Sequence, residues 1–155
     1  MERAVGRVRE ILGESVYGEG SESMEEVVVR LARKAGVKLA TAESCTGGLV
    51  ASRITDVPGA SEGFLGGWVT YSNEAKVRDL GVSEASLRKY GAVSGAVAGE
   101  MARGARERAG ADWAVAVTGI AGPGGGSPGK PVGLVYLGIA GAGGGESIEK
   151  KLVPE

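Results

Sequence analysis

Glycine sets the tightest limit on what this chain can become. Of its 155 residues 29 are glycine, roughly a fifth, against about 7% in an average protein. Clusters stand at 47–48, 66–67, 122–129 and 141–145, each bordering an apolar run. Glycine loses the most backbone entropy on ordering and tolerates positive φ. Such clusters therefore cut a chain into short elements joined by tight turns, and they let backbone approach a ligand closely. With 43% apolar residues the chain can build one packed core, and its length suits one domain rather than two.

Between the glycines the apolar period changes repeatedly. Val5, Val8, Ile11 and Leu12 recur at helical spacing, followed by a polar stretch from Gly13 to Ser23. This predicts an appended helix and linker over 1–22, ahead of a domain over 23–155. Ser23, with Glu26 three residues on, makes a capping box for a helix that ends at Gly36. VKLATA (37–42) and FLGGWVTYS (64–72) read as strands, and LVASRITD (49–56) as a helix whose first turn begins near Thr46. NEAKVRDLG and SEASLRKYG read as short helices stopped by glycine, and Ser94 to Gly110 as a longer amphipathic one. ADWAVAVTG (111–119) and PVGLVYLGIA (131–140) are strand-like, and ESIEKKLVP (146–154) suits an edge strand with outward charges. Strands alternating with helices predict a layered α/β domain with a mostly parallel or mixed sheet, and sites at the carboxyl ends of its strands.

Composition excludes several chemistries. There is no histidine, which removes Ser-His and Cys-His pairs, imidazole bases and His-ligated zinc together. Cys45 stands alone, so an internal disulfide and a thiolate zinc site are also excluded. The net charge of -1 gives no global attraction toward nucleic acid or anionic membrane, and 5% aromatic residues leave few stacking platforms. The charged start MERAVGRVRE lacks an apolar signal core, and no apolar run is long enough to span a membrane. The expectation is a soluble cytoplasmic protein that binds neither nucleic acid nor membrane and uses no metal.

Three motif matches in GPGGGSPGKPVG are decoys. Gly124 to Lys130 begins like a Walker A loop, but Pro131 stands where the magnesium-binding Ser or Thr belongs. The Gly124, Gly126, Gly129 spacing fits a dinucleotide loop, yet a strand follows where a helix should begin. Ser127 and Lys130 match Ser-x-x-Lys, but the intervening Pro-Gly forbids the helix that pairing needs.

AESCTGG (42–48) carries more weight. A serine between a strand and a helix sits on a sharp turn, and helix-terminal amides can hold an oxyanion or phosphate. Gly47 and Gly48 would let a ligand approach; the plain alternative is that Ser44 or Thr46 only caps the helix. Cys45, without histidine, reads as a small buried residue. A serine nucleophile here needs a lysine base, directly or through a tyrosine. VTYSNEAK supplies Tyr71 and Lys76, although a helix lysine is commonly solvated. TGIAGPGGG (118–126) lies at another strand end, where its amides suit an anion-binding nest with Thr118 adding a hydroxyl, or else form a surface loop.

Together AESCTGG, GGWVTYSNEAK, GAVS (91–94) and VTGIAGPGGG...KPVG resemble the CinA C-terminal domain family, the nicotinamide-nucleotide amidases, over roughly Ser23 to Ala140. The resemblance implies a three-layer α/β/α sandwich. It also implies deamidation of nicotinamide mononucleotide to nicotinate mononucleotide and ammonia, without cofactor or metal. By that resemblance Ser44 is the nucleophile, Lys76 the base and Tyr71 a relay or orienting hydroxyl. Glu43, Thr46, Gly47, Gly48, Thr118, Gly119, Gly122, Gly124 and Lys130 are placed around the nucleotide, Glu43 in a direction left open. The family pattern continues with a Gly-Asp-Arg motif and a helix, whereas this chain stops at LVPE. The expectation is then a shortened version or fragment, a replaced arginine, or lost activity, and a homo-oligomer that shields the bared sheet face. The alternative function is a catalytically silent nucleotide-binding or regulatory module.

Overall fold

Five strands form one mixed sheet in a computed structural model that describes residues 2–18 and 20–153. They are β1 (Leu39–Glu43), β2 (Phe64–Val69), β3 (Trp113–Gly119), β4 (Leu134–Gly141) and β5 (Glu146–Leu152), in the spatial order β2-β1-β3-β4-β5. β1 is parallel to both neighbours, while β3–β4 and β4–β5 are antiparallel. The described residues also form six α-helices: α1 (Glu2–Leu12), α2 (Met24–Ala35), α3 (Leu49–Thr55), α4 (Asn73–Leu80), α5 (Glu84–Tyr90) and α6 (Gly95–Ala109). The expected edge strand ends at Leu152, and its last predicted residue, Pro154, lies outside the described residues.

Connection handedness makes the three layers. From β1 the chain crosses to β2 on one side through α3, then back past β1 to β3 through α4, α5 and α6. Two right-handed crossovers in opposite directions put their helices on opposite sheet faces. β1 records this by alternation. Ala40 and Ala42 are buried in a cluster with Val97, Met101 and Ala105 of α6, whereas Glu43 reaches the amides of α3. Small residues bring the α6 layer close: a Cβ on Gly138 would lie 2.4 Å from Ala98 O, and one on Gly104 2.0 Å from Leu80 O. Overpacking such contacts costs about 1–3 kcal/mol.

Helix ends follow the sequence signals. Ser23 and Glu26 complete the capping box of α2, Gly36 ends it at φ 67°, and Ser72, Ser83 and Ser94 accept amide hydrogens at the starts of α4, α5 and α6. One expectation fails. α3 begins at Leu49 rather than near Thr46, because Gly47 and Gly48 have φ of 62° and 103°, outside the right-handed helical region. On the sheet face away from α6, Trp113 and Ile139 stay about two-fifths exposed, at 43% and 38%. The appended α1 likewise leaves Val8, Ile11 and Leu12 exposed. No described helix is long and apolar enough to cross a membrane.

Candidate active site

The carboxyl ends of β1, β2 and β3 converge on a buried serine and lysine. Ser44 follows β1 directly, and its N–H donates to Val117 O of β3 at 2.9 Å, which continues the ladder one residue past the strand. Lys76 lies in the first turn of α4, and only 1% of its surface is exposed. Its Nζ is 2.9 Å from Ser44 Oγ, 2.6 Å from Thr70 O and 3.1 Å from Tyr71 O. None of these three partners is a carboxylate. Burial lowers the Lys76 pKa from its usual value, opposed by the Cys45 sulfur. As a neutral amine, Lys76 has two N–H groups for the two carbonyls and one lone pair facing the serine hydroxyl.

This pair opens into a cavity of about 320 Å³ bounded by Ala92 and Val93, by Cys45, and by the segment from Thr118 to Gly125. A hollow of about 420 Å³ between α4 and α5 is larger, but its Arg78 and Arg88 are paired with Asp79 and Glu84 and it contains no nucleophile. The Tyr71 side chain is 76% exposed at the cavity rim. What it gives Lys76 is its backbone carbonyl. Cys45, expected to be buried, is only partly so and lines the cavity; α/β packing brings it against Gly119, where a Cβ would lie 3.1 Å from its sulfur. Burial pushes the Cys45 thiol pKa up, while its own amide, Lys76 and the Thr46 amide pull it down.

The other expected residues divide. Gly119, Gly122 and Gly124 line the cavity. Thr118 borders it too, but its hydroxyl donates to Ala92 O at 3.0 Å and so holds the 91–94 segment in place. Glu43 points away from the cavity: its carboxylate accepts from Gly48 and Val50 N–H at 3.0 Å each and from Ala51 N–H at 2.8 Å. The amides expected to serve a ligand at the start of α3 are therefore occupied. Thr46, Gly47 and Gly48 build the turn beneath the serine. Lys130 Nζ donates to Tyr90 O at 2.6 Å, bracing the glycine loop against the end of α5. Ser127 and Lys130 exchange two backbone hydrogen bonds in a tight turn, which disposes of all three decoy motifs.

Sequence reasoning missed the Thr70 and Tyr71 carbonyls and the Ala92–Val93 wall, while Ile120 and Ala121 fall in the 118–126 segment already read as a ligand loop. A carbonyl leaves no mark on residue identity. The GAVS segment did carry a signal, since Ser94 caps α6 and so fixes where Ala92 and Val93 must lie.

Comparison with known proteins bears on the family and the fold. The profile of the CinA C-terminal domain family matches residues 21–155. A CinA-like protein of Kosmotoga olearia is 56% identical over 146 residues, covering 94% of this chain and 35% of that protein. One of Chlorobaculum tepidum is 60% identical over 128 residues, covering 83% and 30%. The chain thus spans about a third of these relatives' length. Among solved structures, a competence/damage inducible protein from Agrobacterium tumefaciens superposes with a TM-score of 0.80 at 42% identity, covering 88% of this chain and 86% of that one. A CinA superfamily protein from Escherichia coli gives 0.79 at 34% identity, covering 93% and 86%. With its four motifs gathered at one sheet edge and its fold shared with these structures, the chain belongs to the CinA C-terminal domain family.

Proposed function

We propose that this domain is a serine amidohydrolase that deamidates nicotinamide mononucleotide. The observation that supports this most is the buried Lys76 Nζ, 2.9 Å from Ser44 Oγ, with two backbone carbonyls to hold its remaining hydrogens. A lysine so held serves as a base at a pH below its ordinary titration range, because desolvation disfavours its ammonium form. Ser44 Oγ forms a bond to the carboxamide carbon while its proton passes directly to Lys76 Nζ. The C–N bond then breaks, and that proton leaves with ammonia. Water attacks the acyl ester and gives a proton to Lys76; the bond from the carbonyl carbon to Ser44 Oγ then breaks, Lys76 returns that proton to Oγ, and nicotinate mononucleotide departs. No step calls for a metal.

The glycine loop suits the phosphate. Among the described residues the backbone amides of Ala121, Gly122, Gly124 and Gly125 donate to no protein acceptor, and all four residues line the cavity. The decisive experiment measures ammonia release from nicotinamide mononucleotide by the purified, folded chain beside Ser44→Ala. Release that falls at least about a thousandfold in the variant supports the amidase. Folded wild type that binds the nucleotide, gaining thermal stability without releasing ammonia, would instead be the silent module.

A further inference from the structure

Glu43 is the only carboxylate among the residues that build the serine turn, and it is 1% exposed. A buried carboxylate needs partners, and this one takes backbone amides rather than a cation. Oε2 accepts from Gly48 and Val50, and Oε1 accepts from Ala51. Gly48, at the start of α3, has no side chain to cap the helix, so Glu43 performs that task from the preceding strand. Other amides of the turn are also engaged: Ser44 N–H on Val117 O, Gly47 N–H on Ser44 O and Leu49 N–H on Thr46 O. The amides of Cys45 and Thr46 donate to no oxygen among the described residues, and both favour negative charge on the Cys45 sulfur, which borders the cavity. Of all the N–H groups from 44 to 51 outside the helix ladder, these two remain for the reacting centre.

We propose that Glu43 is a positioning residue: its carboxylate ties α3 to the end of β1, fixing the Ser44 turn so that the Cys45 and Thr46 amides face the oxyanion formed at Ser44. This rests on the serine–lysine reading above and adds to it the donors for the oxyanion. Substrate then never touches Glu43. Loss of the clamp misplaces donors that act in the transition state, so it lowers kcat while leaving KM nearly unchanged.

The test uses wild type, Glu43→Gln and Glu43→Asp, all checked for folding by circular dichroism and melting. The first readout is the rate at which a fluorophosphonate phosphonylates Ser44, followed by intact mass. That reaction forms the Oγ–P bond, expels fluoride, sends the serine proton to Lys76 and needs the same oxyanion donors. The second is kcat and KM for nicotinamide mononucleotide. Glu43→Gln should be labelled about 10- to 100-fold more slowly, with kcat reduced in parallel and KM within about threefold of wild type. Glu43→Asp, which keeps the charge on a shorter arm, should recover part of both rates. Wild-type labelling by a folded Glu43→Gln would overturn the proposal, as would a KM that rises as far as kcat falls, the mark of a substrate contact. Should Glu43→Gln not fold, Glu43→Asp decides by the same two measures. Wild type that is labelled but releases no ammonia defeats only the amidase reading, and labelling then judges Glu43 alone. Wild type that is not labelled at Ser44 overturns both.

Discussion

Two loops meet at the carboxyl edge of the sheet, and they are built on opposite plans. In the stretch from Ser44 to Ala51 every backbone amide but those of Cys45 and Thr46 has an oxygen acceptor inside the protein, and one buried carboxylate alone takes three of them. In the loop from Ile120 to Gly133 the hydrogen bonds gather at the base and at the Ser127–Lys130 turn, while the amides of Ala121, Gly122, Gly124, Gly125 and Gly126 are left open among the described residues. Glycine serves both, in the first for sharp curvature and in the second for bare backbone facing a cavity. A nucleophile must be held within a fraction of an ångström, so its turn is satisfied internally. A loop that receives an anion must keep its donors unspent until the ligand arrives. Changes in the first loop should therefore act on kcat, and changes in the second on KM.

The largest effect belongs to the lysine beside the first loop. Lys76→Arg should reduce turnover at least about a thousandfold, since guanidinium does not give up its proton, and nicotinamide mononucleotide should still stabilise the folded variant. The wild-type pH profile carries the same information. Burial holds the folded pKa of Lys76 below its ordinary 10.5, so kcat/KM should rise with pH through the lowered value and level off before 10.5. The linkage has the same sign: between the lowered folded pKa and 10.5 the unfolded chain keeps a proton that folded Lys76 has released. The stability this group contributes is thus present above the unfolded pKa and lost as pH falls through the folded one. A flat rate profile, or an active Lys76→Arg, would remove Lys76 as the base.

A middle effect separates two glycines of the second loop. Gly122 has φ of 84°, and a Cβ there would lie 2.6 Å from Val132 Cγ1, whereas a Cβ on Gly124 meets nothing within 4 Å. Left-handed backbone costs a non-glycine residue about 1–2 kcal/mol, which is on the order of tenfold in binding. Gly122→Ala should raise KM by about that factor with kcat within about twofold, and Gly124→Ala should stay near wild type. Steady-state kinetics on both would decide the matter, and a fall in kcat for Gly122→Ala at constant KM would erase the division between the loops.

How much of this was legible in the sequence follows from the kind of information each contact needs. Ser44 and Lys76 could be paired in advance because Ser44 lies on the turn after one strand and Lys76 lies in the first turn of the helix after another, and parallel neighbours deliver their carboxyl ends to one edge. The cap at Ser23 was legible for a local reason, since Ser23 and Glu26 three residues on form a capping box. Glu43 was not. Its side chain follows β1 alternation, but only the positions of α3 and α6 decide which face is cavity and which is helix amide. For Tyr71 a hydroxyl is visible in a sequence and a carbonyl is not; the carbonyl reaches Lys76, while the side chain stands at the cavity rim. Cys45 was misjudged because its exposure depends on Gly119, a residue 74 positions along the chain that lets the two strand ends close together.

The smallest effect concerns Lys130, which the sequence placed beside the phosphate and the structure places on Tyr90 O. A brace and a phosphate ligand make different predictions. Removing one such hydrogen bond costs about 0.5–1.5 kcal/mol, so Lys130→Met should raise KM for nicotinamide mononucleotide about two- to tenfold and leave kcat alone. Nicotinamide riboside, the same amide without phosphate, distinguishes the two roles. If Lys130 only braces the loop against α5, its loss loosens the whole cavity wall, and KM should rise by a similar factor for both compounds. If its ammonium swings from Tyr90 O to the phosphate on binding, the penalty should fall on the mononucleotide alone, and the preference for the phosphorylated substrate should shrink by that same factor. The second outcome would show that the open loop recruits a side-chain cation, and the contrast with the closed serine turn would then be one of timing as well as of hydrogen bonding.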